Sequence, residues 1–146
     1  VIETSIGLDR MFLAILSAAL KEEQVDDKNT RTVLKIPAFL APVKVAVLPL
    51  LKKDGLPEVA HQIIDELQWE TQVTYDDKDA VGRRYRRQDA AGTPYCVTVD
   101  HQTLEDQTVT LRDRDTMQQS RVAVSDLASI IAEKISMTKV LKQVAY

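Results

Sequence analysis

The sequence predicts an α/β domain: a mixed five-stranded sheet flanked by about three helices, preceded by an N-terminal strand and helix. Three observations carry that prediction. Lys44-Val45-Ala46-Val47-Leu48-Pro49-Leu50 is a nearly unbroken apolar run, the mark of a strand buried on both faces. Strand-like and helix-like stretches then alternate as far as Val99, the order of a parallel layer. Tyr95–Val99 and Thr108–Arg112 follow one another across a short polar segment, the order of an antiparallel pair.

Taken in order, Val1-Ile2-Glu3 reads as a short strand, Gly7 as a turn, and the stretch from Leu8 as a helix that is apolar nearly all round after Arg10. Such a helix is normally buried. Residues 21–32 are charged and read as a surface loop or hairpin tip, and the β-branched Thr32–Ile36 as a strand. Pro37 and Pro42 break regularity at both ends of an extended connector, 37–43. Beyond the Lys44–Leu50 strand and a Lys52–Gly55 turn, Pro57 suits the first helical position, and Ala60, Ile63, Ile64 and Leu67 recur at helical spacing. His61 lies off that stripe and faces solvent. Trp69 ends the helix as a core or rim anchor. Glu70–Tyr75 is the second sheet strand. A helix rich in arginine follows and stops at Gly92-Thr93-Pro94. Tyr95–Val99 is the third strand, Asp100–Gln107 a polar loop, Thr108–Arg112 the fourth strand and Arg121–Val124 a short fifth. Ser125 is a good N-cap for a last helix with Leu127, Ile130, Ile131 and Ile135 inward. Residues after Met137 continue it or form a tail.

The 146 residues amount to one domain with an appendage. Net charge is −3, so a nucleic-acid site has to be a local patch and not a whole-molecule field. The single cysteine, Cys96, excludes an internal disulfide framework and a cysteine-rich zinc site; within its apolar run it reads as a buried, inert thiol. The longest apolar run, Met11–Leu20, is about half of a membrane span, and no signal-like segment precedes it, so no membrane partner is expected and the cytoplasm is the default location. His61 and His101 are isolated, with no paired acid and base and no metal-ligand spacing, which argues against a small enzyme in its own right.

The chemistry concentrates between Asp76 and Pro94, where Arg83, Arg84, Arg86 and Arg87 surround Tyr85. On a helix, Val81 and Tyr85 share one face, and Arg83, Arg86 and Arg87 project from roughly the other. Such a ridge suits a polyanion or carboxylate partner, nucleic acid first. Asp76, Asp77, Asp79 and Asp89 are close enough to make it an ion-paired, solvated face instead, and charge alone favours that reading.

From Leu40-Ala41-Pro42-Val43-Lys44 through Leu50 the chain resembles class II glycyl-tRNA synthetases of the dimeric type. The likeness continues through Tyr75-Asp76, Gly82-Arg83-Arg84-Tyr85-Arg86-Arg87-Gln88-Asp89, Gly92-Thr93-Pro94, Val99-Asp100 and Thr108-Val109-Thr110-Leu111-Arg112-Asp113-Arg114-Asp115, and spans Val1 to about Met137. The threonyl, prolyl and histidyl enzymes share the module with weaker identity. Glu3-Thr4-Ser5-Ile6-Gly7-Leu8-Asp9-Arg10 is similar to the last signature of the class II catalytic domain, with Thr4 where the family commonly has proline. The resemblance implies that residues 1–36 are the end of a catalytic domain and a following hairpin, 37–43 a connector, 44–137 an anticodon-binding domain and 138–146 a tail. It implies a parent enzyme, a cytoplasmic homodimer, that attaches glycine to its tRNA using ATP with magnesium. There Arg10 clamps the ATP phosphates and Glu3 and Ser5 hold the glycine amino group. The other two class II signatures are absent, so this stretch alone is expected to be non-catalytic.

The implied partner is the anticodon loop of glycine tRNA, with no DNA expected. Single-stranded loops are held by stacked, splayed bases and by basic residues on phosphates. Arg83, Arg84, Arg86 and Arg87 are accordingly assigned to tRNA phosphates or loop positioning. Arg112 and Arg114 are assigned to base reading, since the threonyl relatives use an arginine at a strand end for that purpose. Asp115, Thr116 and Glu105 are further candidates beside them. Asp76 and Asp79 either accept from cytosine or pair the arginine helix. The alternative reading is a stand-alone or accessory interaction module of the same fold, such as a polymerase accessory subunit; the Glu3–Arg10 signature argues against it.

Overall fold

The structure, a computed structural model, describes residues 2–144. Its framework is a sheet of order β4-β3-β5-β6-β7, built from β3 (Val45–Pro49), β4 (Val73–Tyr75), β5 (Tyr95–Val99), β6 (Thr108–Asp113) and β7 (Gln119–Ala123). β3 runs parallel to β4 and β5, and β6 is antiparallel to both β5 and β7. The mixed sheet is thus the predicted one. β3 and β5 are buried along their whole length, as a two-sided apolar run requires.

One face of this sheet holds the main core. Val45, Val47, Val97, Val99, Val109 and Leu111 pack there against Leu56, Ala60, Ile63 and Leu67 of α2 (Leu56–Leu67) and Leu127 and Ile131 of α5 (Val124–Lys134). The opposite pleat, with Ala46, Leu48 and Cys96, receives Tyr85 from α3 (Val81–Ala91). Strand alternation places Thr98, Thr110 and Arg112 on that second side too.

Ahead of the sheet stand α1 (Leu8–Ala19) and an antiparallel hairpin of β1 (Leu20–Asp26) and β2 (Asn29–Leu34). The hairpin lies against α3: Gly92, at φ +83 beyond the last turn of α3, leaves room for Leu34 and Ile36, whose side chains a Cβ there would meet at 3.1 and 3.2 Å. Lys44 Nζ donates to the carbonyls of Phe39 and Ala41 and fixes the connector.

Several sequence expectations are corrected. Residues 2–6 form no strand, and Val1 lies outside the described residues. α1 buries only Ala19 and leaves Leu8, Phe12 and Leu13 exposed. Asp100–Gln107 contains α4 (His101–Asp106), started by Asp100, which accepts from Thr103 N while its own N–H donates to Thr103 Oγ1. α5 begins two residues early, at Val124 with Ala123 as its N-cap, so Ser125 lies inside it and is not its cap. Trp69 is 83 % exposed and anchors nothing. His61 is exposed as expected, with its ring stacked on Tyr75. The last stretch forms α6 (Met137–Val144).

Candidate nucleic-acid interface

The arginine-rich helix does not present one cationic face. Arg84 is turned inward and is 3 % exposed; its guanidinium donates to the carbonyls of Pro49, Lys78 and Asp79. It thereby ties the end of β3 to the turn before α3, where Asp79 sits at φ +69. Arg87 pairs with Asp76 and with Asp79 at 2.7 Å. Arg83 is the freest of the set, its side chain 79 % exposed and 3.8 Å from Asp79. Asp76 and Asp79 therefore serve the arginine helix, one of the two roles open to them in the sequence.

Asp89, on the same helix, is 0 % exposed and gathers three arginines. Arg112 donates to both of its carboxylate oxygens, at 2.7 and 3.0 Å. Arg31, reaching across from β2, donates at 3.0 Å. Arg86 stands at the rim, 3.5 Å away. Arg31 also bonds Glu23 and the carbonyl of Arg114. Arg112 lies over the Tyr85 ring, 4.7 Å from its centroid. Burial works against the charge of Arg112, but the Asp89 carboxylate outweighs it and holds its pKa above the usual arginine value. Burial also raises the Tyr85 phenol, which shares a hydrogen bond with Thr98.

Two concavities meet on this side of the molecule. A cleft of about 190 Å³ is lined by Gly82, Tyr85, Arg86, Arg112, Met117 and Gln119. Beside it, a groove of about 790 Å³ runs between the hairpin and α3, with Thr30, Arg31 and Thr32 on one wall and Gly82, Arg83, Arg86 and Arg87 on the other. Gly82 and Arg86 belong to both.

The remaining expected site residues separate. Arg114 is 2 % exposed and is held by Gly92 O, Ile36 O and Asp115, so it joins the connector to the domain and is corrected from base reader to internal tie. Arg84 is corrected in the same way. Arg112 keeps one edge on the cleft despite being 3 % exposed. Asp115 and Thr116 lie exposed in the β6–β7 turn. Glu105 is on α4, at the far end of the β5–β6 pair from Arg112, and is not brought to the cleft. Glu3, Ser5 and Arg10 are exposed along the open N-terminal segment.

Sequence reasoning missed Gln119, which the register sets directly opposite Arg112, and Arg121, whose guanidinium bonds Asp100, Thr108 and Thr110 on the same side of the sheet. Pairing the fourth and fifth strands residue by residue sets Arg121 opposite Thr110, whereas Gln119 lies ahead of the expected fifth strand. The Arg31–Asp89 contact left no local signal.

Residues 44–134 match the family described as Anticodon binding domain. The chain belongs to the anticodon-binding-domain family. Similar proteins to this anticodon-binding domain are the glycine–tRNA ligases of Rhodopirellula baltica, 55 % identical, and Alkaliphilus metalliredigens, 52 % identical, each over 92 % of this chain but 26 % and 29 % of their own lengths. That of Borrelia hermsii is 49 % identical over 92 % of the chain and 30 % of its own length. The chain thus spans under a third of these relatives. Its fold is similar to that of prolyl-tRNA synthetase from Cryptosporidium parvum, with a TM-score of 0.65 and 22 % identity over 70 % of this chain and 22 % of that one. The accessory-module alternative is not favoured. Among the described residues no acidic, histidine and cysteine cluster suits a metal, and no helix is long and apolar enough to cross a membrane.

Proposed function

We propose that this chain is the anticodon-reading part of a glycine–tRNA ligase and that it binds the anticodon loop of glycine tRNA at the cleft beside α3. The observation that carries the proposal is Arg112. Its guanidinium is locked by two hydrogen bonds to Asp89 and laid over Tyr85, at the wall of a cleft that Gln119 also lines. A fixed guanidinium beside an amide can hydrogen-bond one base edge and reject others, because a wrong base leaves those groups unpaired. Arg83 and Arg86 supply positive charge for the flanking phosphates. Asp115 and Thr116 are exposed in the turn beyond Arg112, and Thr116 lines a separate pocket with Tyr95 and Leu111.

In the parent enzyme, glycine, ATP and magnesium belong to a site completed by further chain; from this chain Glu3 and Ser5 would face glycine and Arg10 the ATP phosphates. These three side chains are exposed and do not enclose a nucleotide. The parent acts as a cytoplasmic homodimer. The test is filter binding of glycine tRNA against the same tRNA with its anticodon exchanged. Preference for the intact anticodon is expected; equal affinity for both would refute the base-reading role.

A further inference from the structure

We infer that the groove between the β1–β2 hairpin and α3 holds the ribose-phosphate backbone of the RNA strand whose base enters the Arg112 cleft, and that Gly82 is the gap through which the strand passes. The inference rests on the reading of the cleft as a base site. It adds a second wall, the hairpin, which lies before the matched residues 44–134.

Continuity is the first argument. Gly82 and Arg86 line both concavities, so a nucleotide seated in the cleft has its neighbour directed into the groove. At about 790 Å³ the groove falls within the roughly 300–1,000 Å³ typical of ligand sites. Gly82 is the second argument. It sits in the first turn of α3, exposed, and a Cβ added there meets nothing within 4 Å. Its φ is not positive, so no turn requires it. A helical glycine without packing or backbone cause weakens the helix, and what it does provide is open space between the two sites.

Rigidity is the third. A hairpin held only by its turn would make a poor wall, but this one is fixed from within: Arg31 of β2 is buried and bonds Asp89 and the Arg114 carbonyl, while Thr30 and Thr32 on either side of it are exposed to the groove. Their hydroxyls suit a ribose 2′-OH or a phosphate oxygen. Facing them, Arg83 and Arg86 offer guanidinium groups whose carboxylate partners lie at 3.8 and 3.5 Å, long enough to be exchanged for phosphate. Asp26 also lines the groove; its carboxyl is bonded by Asn29 and the Lys28 amide, which hold it below the usual range.

The test uses the 146-residue chain and a labelled RNA hairpin carrying the anticodon loop of glycine tRNA, with an anticodon-exchanged hairpin as comparison. Gly82→Leu places a good helix former in open space, so the melting temperature should hold or rise while affinity falls about tenfold for both hairpins alike. Thr30→Glu should weaken both and flatten the salt dependence by about one phosphate. Gln119→Ala should weaken the intact-anticodon hairpin more than the exchanged one and so lower the preference between them. If Gly82→Leu and Thr30→Glu bind like the parent chain while Gln119→Ala loses preference, the groove proposal is overturned and the cleft reading stands. If the unaltered chain shows no preference but Gly82→Leu still weakens both hairpins, the groove proposal stands and the base reading falls.

Discussion

Replacing Asp89 by asparagine is the most direct test of how this interface is built. The carboxylate is wholly buried and accepts three hydrogen bonds of 2.7–3.0 Å from two arginines that are each 3 % exposed. Asparagine keeps the volume and one acceptor oxygen but removes the charge. Arg31 retains Glu23, which is only partly buried, whereas Arg112 has no other carboxylate partner among the described residues. Removing one member of a buried pair typically costs about 3–5 kcal/mol, because the surviving charge is left without compensation. Against a total stability of about 5–15 kcal/mol, that is a large fraction. At roughly 2–4 °C per kcal/mol for a chain of this size, the melting temperature should drop by about 6–20 °C.

The assay is urea unfolding of Asp89→Asn, Arg112→Met and the double variant. The two single losses should not add: removing Arg112 also removes the charge that Asp89→Asn strands, giving a coupling of about 0.5–3 kcal/mol. A loss below about 1 kcal/mol for Asp89→Asn, or strict additivity, would refute the argument, since it would mean that the guanidinium groups reach water and the network is not closed.

Other sites carry further expectations. Burial pushes the Cys96 thiol up to about 12, so it should not react with an aromatic disulfide reagent at about pH 8 until the chain unfolds. The unfolded thiol ionises near about 8.5 while the folded one keeps its proton, so this group subtracts stability as pH rises through that window. Arg121 holds the Asp100 carboxyl below the usual range, against the opposing effect of burial, so the pair stabilises the fold above about pH 4 and the benefit is lost as pH falls through the lowered value. Asp100→Asn should accordingly cost stability at neutral pH, and the gap to the unaltered chain should close in acid-titrated unfolding. Arg112→Lys removes the paired donation to Asp89 and should cut anticodon preference by about 1–3 kcal/mol in competition binding, beyond any general loss of affinity. Unchanged preference would place base reading elsewhere.

The sheet was legible because it rests on short-range pattern. β3 and β5 are apolar on consecutive residues, and α2 carries its stripe at helical spacing. The arginines were legible in number and not in direction. A guanidinium reads as solvent-facing by composition, and what buries Arg112 and Arg31 is a carboxylate 23 and 58 residues away. α4 reads as a loop because five of its six residues are polar and its start signal, Asp100 with Thr103, is a weaker form of the usual capping pair. Trp69 was assigned to packing on side-chain type alone, and no neighbouring element covers it.

The same long-range contacts decide where the functional unit ends. The family match starts at residue 44, after the prolines that make 37–43 read as a linker. Linkers join bodies that few contacts cross. Here the crossing contacts are buried and polar: Arg31 to Asp89 and the Arg114 carbonyl, Arg114 to the Ile36 carbonyl, and beside them Leu34 and Ile36 packed over Gly92. Each polar tie leaves an unpaired group inside if the hairpin swings away, and an unpaired buried polar group is costlier than a lost apolar contact of the same size. The hairpin is therefore held to α3 by direction-dependent bonds. Its exposed threonines stand at a fixed distance from Arg83 and Arg86, and a groove with two fixed walls can select a strand by its shape as well as by its charge.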